Sequence, residues 1–319
     1  MPPRPAPRGL DAGLRLAAVA GVFLVPAVAP PLAGVLQLAG AGAAAAWLEG
    51  WRPAAAIRGV MAAVGAALLA SALLLGGRGG LWILETGLLA GLLLRARHLA
   101  WSGPRALWTA VLVLAVSLAF FLALGSGGDA GQAWEALCGE VGRGLESSFG
   151  VLSNRPPPGL TPEEVQAEVA ALRARTLHFL PGILFLSLFT VALANLFVAR
   201  LLIHRWAGRE VFGPAFRLWR FPEALVWPFI AAGLLSLYGR GGAGAVGDNL
   251  LLGLGGVYLV QGLSVIAFHM ERRRVPGYLR WGFYVLLSLQ WYGLLSAAAL
   301  GLLHTWFPLG RGGGAGDTT

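Results

Sequence analysis

One carboxylate lies well inside an apolar run: Glu85, in the stretch Leu81 to Leu94. An ionised carboxylate is costly in hydrocarbon, so it must face protein, water or a partner. Two roles follow. Glu85 faces a polar cavity and binds a small polar or cationic ligand, or, as the fifth residue of its run, it reaches the interface and pairs with Arg78. Three amides, Asn195, Gln261 and Gln290, also lie in apolar stretches, and each can hydrogen-bond across helices. If Gln261 and Gln290 converge on Glu85, with Asn195 below them, the four line a polar cavity; singly, each amide acts as structural glue. The triplet Arg272-Arg273-Arg274 closes another apolar run. It either binds anionic lipid head groups or a membrane-protein partner's acidic surface, or it serves only as a topology signal.

Other chemistry is excluded. All 24 basic residues are arginine, so there is no Walker-type, Schiff-base or kinase-type lysine. The lone Cys138 forms no internal disulfide, and the five histidines include no HExxH and no pair at metal-ligand spacing. Ser126, between glycines, ends an apolar run rather than lying within it, and the following Gly127-Gly128-Asp129 is out of register for an intramembrane aspartyl protease. No catalytic set, cofactor site or metal site emerges. A net charge of +9 without a basic stripe interleaved with aromatics in a polar domain argues against nucleic acid.

These residues are held by a chain that is 57% hydrophobic and only 12% charged over 319 residues. That is too few charges to cover a water-soluble surface. The expectation is an all-α, polytopic membrane bundle forming a single domain over 1–319, with the lipid bilayer as its first partner. A crossing helix needs about 20 apolar residues, and some manage with about 17. Runs of that kind are Leu14–Val28, Leu32–Leu48, Gly59–Leu75, Leu81–Leu94, Ala106–Leu124, Phe179–Val198, Ala224–Tyr238, Asn249–Phe268 and Trp281–Phe307. They give about nine spans, with eight as the alternative, since the fourth and seventh are short. Small residues suit Gly34, Gly40, Gly42, Gly253 and Gly256 to close helix packing. The last run, 27 residues or about 40 Å against a core of about 30 Å, must tilt, project or kink near Gly293. Alternating sides along the chain puts seventeen arginines on one face and seven on the other. This places the N-terminus in the cytoplasm and the C-terminus outside a bacterial inner membrane.

Residues 126–177 are polar enough to live in water. Trp134, Leu137, Val141, Leu145, Phe149 and Leu152 recur at helical spacing opposite Glu135, Glu140, Arg143 and Glu146, which predicts an amphipathic, extracytoplasmic helix. After the loop Asn154 to Gly159, Thr161-Pro162-Glu163-Glu164 reads as a capping box opening a second helix. Its apolar stripe continues to Phe179, so one helix is expected to run from Thr161 to Ile203 and to kink at Pro181.

Three stretches resemble the YybS-like family of bacterial membrane proteins of unassigned function: Leu180-Pro181-Gly182 with Asn195 to Arg200, Trp219-Arg220-Phe221-Pro222, and Tyr258 to Phe268 with a terminal Gly301 to Phe307. The likeness covers 179–311 and departs where the family often carries an aspartate and this chain has His304. It implies no catalytic residues. Through it the chain looks distantly like substrate-binding subunits of energy-coupling-factor transporters.

Buried polar groups, proline-broken spans and the missing nucleotide motif favour a substrate-binding or transport-related subunit without its own ATPase. The alternative is a non-catalytic envelope scaffold acting through its outer insert and arginine loops.

Overall fold

The computed structural model describes residues 12–28, 30–75, 79–154, 159 and 161–307. Arg78, Arg155, Arg311, Thr319 and residues 1–11 lie outside them. The described residues are all-helical: 86% of them are helix, and no strand occurs among them. Its helices are α1 (Ala12–Val28), α2 (Pro30–Trp47), α3 (Pro53–Leu75), α4 (Gly80–His98), α5 (Gly103–Gly125), α6 (Ala130–Asn154), α7 (Pro162–His178), α8 (Leu180–Ala207), α9 (Val226–Tyr238), α10 (Gly242–Arg272), α11 (Gly277–Leu289) and α12 (Trp291–Trp306).

By length and composition, α3, α5, α8 and α10 can cross a membrane, and the broken pair α11 and α12 raises the number to five. These are the spans that stand among the nine expected. The 13 residues of α9 span only about 20 Å, and α4 carries Glu85, Arg95 and Arg97 within its 19 residues. Large apolar side chains such as Met61, Leu73, Leu112, Phe120 and Leu237 are exposed, as a lipid-facing surface requires.

The chain forms two compact units. The first comprises residues 1–118 and 187–219. In it α1 packs on α2, α3 and α4, and α4 also meets α2 and α3. Small residues set the spacing: a Cβ on Gly87 would fall 2.2 Å from Val64 Cγ2. A Cβ on Gly42 would fall 2.3 Å from the Asn195 carbonyl oxygen, so the backbones of α2 and α8 touch there. The expectation for Gly42 holds, whereas Gly34 faces open space.

The second unit comprises residues 119–186 and 220–319. Its centre is α10, flanked by α9 and α12. Gly253 and Gly256 meet Phe185 and Leu186, as their size suggests. Gly262 and Gly301 bring α10 and α12 closer still, since a Cβ on Gly262 would fall 1.8 Å from the Ala297 carbonyl oxygen. The insert is a helix pair, α6 against α7, joined by an Arg173–Glu146 ion pair of 2.8 Å. Asp129 caps α6 through the amides of Gly131 and Gln132. The capping box at α7 forms as expected, with Glu164 N–H donating to Thr161 Oγ1 (3.2 Å) and Thr161 N–H to Glu164 Oε2 (2.8 Å).

One expectation is corrected, and one left open is decided. The helix from Thr161 does not run unbroken to Ile203: α7 ends at His178, and Phe179 separates it from α8. Pro181 then falls in the first turn of a new helix, where its missing N–H has no partner to lose. Of the outcomes expected for the last apolar run, the kink near Gly293 is the one found. The run breaks at Gln290, three residues before Gly293, and α11 and α12 meet at 107°. Gly293 serves the break from the far side, where a Cβ would crowd the Leu287 carbonyl oxygen at 3.0 Å.

Candidate functional site

Glu85 opens into a narrow crevice of the first unit, lined by Gln37, Ala41, Trp82, Thr86, Leu89, Leu114, Leu188 and Val191. Its free space is about 20 Å³, room for little more than one water molecule. Trp82 lies three residues before Glu85 on α4, hence on the same helix face. Its indole Nε1 is buried without a hydrogen-bond partner. Among the described residues the Glu85 carboxylate makes no hydrogen bond or ion pair either, and it is half-buried. Thr86 is occupied by its own helix, donating to the Trp82 carbonyl at 2.8 Å. On α5, Ser117 Oγ is a further buried and unpartnered atom, three residues beyond the lining Leu114. An acceptor and a donor thus line one crevice unpaired among the described residues, the buried indole N–H at a desolvation cost of about 1–3 kcal/mol and the half-buried carboxylate at part of the larger cost of a charged group.

Asn195 lies four residues beyond the lining Val191 and is fully buried. Its Oδ1 accepts from Gly42 N–H at 2.9 Å, and its Nδ2 donates to the carbonyls of Gln37 (2.6 Å) and Val191 (2.9 Å). Two of these three bonds join α8 to α2 and the third stays within α8, which makes Asn195 a positioning residue for the crevice. Gln261 belongs to the second unit, where its Oε1 accepts from Phe221 N–H at 2.9 Å in a buried setting. There it secures the chain entering α9. Gln290 is the exposed residue at the break between α11 and α12. The crevice lining therefore contains Glu85 and neither Gln261 nor Gln290, while Asn195 bonds the carbonyls of the lining Gln37 and Val191.

Arg272, Arg273 and Arg274 are exposed where α10 ends. Val275 N–H donates to the Met270 carbonyl and Arg274 N–H to that of Glu271, with Arg274 at φ +53°. This is a Schellman turn, in which glycine is the usual choice at the left-handed position.

Several polar groups escape a reading by composition. Glu49 and Arg97 pair with both side chains largely buried, and Arg209 reaches the same carboxylate at 3.6 Å. Beside them, burial and then the Arg97 and Arg95 guanidinium groups lower the pKa of His98. In the second unit, Asp248 accepts from Ser236 Oγ while His178 Nε2 lies 2.8 Å from its other oxygen. The Asp248 set does not resemble a nucleophile with its base, because the carboxylate bridges the serine and the histidine. Among the described residues no group of histidine, cysteine and carboxylate side chains could hold a metal ion. Trp82 alone carried a readable signal, its spacing from Glu85.

The chain belongs to the DUF2232 family of predicted membrane proteins, which it matches over residues 17–304. That match extends well before residue 179, where the resemblance noted in the sequence begins. No curated protein and no solved structure matches it.

Proposed function

We propose that this DUF2232 membrane protein is a small-ligand-binding, transport-related subunit without its own ATPase, and that its site is the Glu85 crevice. The observation that carries this reading is that one crevice is lined by a carboxylate, Glu85, and by Trp82, whose indole N–H is buried, with neither group partnered among the described residues. A ligand offering a cationic donor to Glu85 and an oxygen acceptor to Trp82 relieves both desolvation costs. The free space of about 20 Å³ admits only an ammonium-sized group as it stands, so a ligand that also reaches Trp82 must widen the crevice, which favours a small polar amine over a bulky cation. Asn195 fixes the crevice wall, and the missing nucleotide motif assigns energy coupling to a partner. The distant resemblance of the sequence to substrate-binding subunits of energy-coupling-factor transporters is the analogy behind this role. A nine-span topology with a cytoplasmic N-terminus, inferred from the arginine asymmetry, completes the reading.

A scaffold role draws on a different feature, the groove of about 600 Å³ lined by Glu146, Gln166, Val169, Arg173 and Leu177 on α6 and α7.

The test is thermal unfolding of the protein in lipid nanodiscs with methylammonium, ethanolamine and glycine. At one hundred times its Kd a bound amine stabilises by about 2.7 kcal/mol. Glu85→Gln should abolish this shift and leave the unliganded protein folded, while Trp82→Phe should weaken binding of the oxygen-bearing amines and spare methylammonium. Equal responses in wild type and Glu85→Gln, or none from any amine, overturn the proposal.

A further inference from the structure

The helix α11 has no buried residue, and its exposed side is apolar. Tyr278, Trp281, Val285 and Leu289 recur at spacings of three and four and so share one face. Three of them, Tyr278, Trp281 and Leu289, are 75–76% exposed. Arg280, Tyr284 and Leu287, on the opposite face, are less exposed. The 107° bend at Gln290 turns α11 away from the line of α12, and 13 residues cover only about 20 Å of a core of about 30 Å. Tyrosine and tryptophan favour the membrane–water boundary. Directly before α11 stand Arg272, Arg273 and Arg274, with Glu271 the only acid nearby in sequence. Arg274 occupies a left-handed position that ordinarily takes glycine; a residue kept there against local strain points to a use for its side chain.

We infer that α11 is an in-plane anchor that lies in the membrane interface, with Arg273 and Arg274 gripping the phosphates of anionic phospholipids. The apolar face dips into the acyl boundary by about 5–10 Å. The arginines at its start meet the negative head groups, whose attraction is about 1 kcal/mol per arginine, or roughly fivefold in affinity. This does not depend on what Glu85 binds.

Two measurements test it. In a Cys138→Ser background, a fluorophore at Trp281→Cys and then at Leu289→Cys is quenched by lipids labelled at graded depth. An in-plane helix gives equal depths. A crossing helix gives depths about 12 Å apart, eight residues at 1.5 Å each, and that result overturns the inference. Retention of phosphatidylglycerol against phosphatidylcholine is then read by native mass spectrometry. Arg273→Gln with Arg274→Gln should lose about 25-fold in preference, while the lysine pair should keep most of it and Arg175→Gln should change nothing. Excess glycerol phosphate should fail to compete. Unchanged retention in the double glutamine variant, competition by glycerol phosphate, or loss of a co-purifying protein with lipid retention intact would each refute it.

Discussion

Replacing Gly42 with alanine tests the seam that supports the crevice. A Cβ at Gly42 would lie 2.3 Å from the Asn195 carbonyl oxygen and 2.9 Å from the Ala199 amide nitrogen. Both are backbone atoms of α8, so no rotamer change relieves the clash, and the two helices must part by about 1 Å. That separation stretches the Asn195 bonds to Gly42 N–H and the Gln37 carbonyl, now 2.9 and 2.6 Å, toward the hydrogen-bond limit. Intramembrane hydrogen bonds average about 0.6 kcal/mol each, and overpacking adds about 1–3 kcal/mol. Alanine returns about 1 kcal/mol of helix propensity. The net loss is therefore about 1–3 kcal/mol. Gly34 on the same helix meets nothing within 4 Å, so Gly34→Ala shows the propensity gain alone. Unfolding in mixed micelles, titrated with dodecyl sulfate and followed by tryptophan fluorescence, compares the two. Equal midpoints for Gly42→Ala and Gly34→Ala would refute the claim that α2 and α8 are in backbone contact.

The capping box predicts that Thr161→Ala costs α7 about 1 kcal/mol, read as faster amide exchange over the first turn of α7 with α8 unchanged. The topology inferred from the arginines predicts that a periplasm-active phosphatase fused at Ala130 is active and one fused at Arg209 is silent; activity at Arg209 would reverse the orientation.

Helix existence was legible in the sequence, because runs of apolar residues and the Thr161 capping box are local signals. Helix breaks were less so. Pro181 suggests a kink in mid-helix and a start in the first turn equally well, and only the ending of α7 at Phe179 decides between them. Gln290 carries no breaking signal at all. Its neighbours set the bend: Gly293 leaves room for the Leu287 carbonyl oxygen, and Gly301 lies against the Tyr258 carbonyl oxygen of α10. At the site, Glu85 was visible as a lone carboxylate in an apolar run. The amides could not be assigned, because an amide satisfied by a neighbouring helix and one facing a cavity look alike until the neighbour is known. Asn195 and Gln261 both prove to have such neighbours. Gln37, on the crevice wall, went unremarked for the same reason.

The seam between Gly42 and Asn195 joins positions 153 residues apart in the chain. At about 5–20 residues per second, a ribosome needs roughly 8–30 s to deliver Asn195 after Gly42. Throughout that interval the small-residue face of α2 has no helix to receive, and the first unit stays open on one side while the whole insert is made. A nascent chain stalled after α7 would expose this face to the bilayer or to an insertase. Quality control therefore has a natural checkpoint at the synthesis of α8, the segment whose arrival closes the earlier half of the protein.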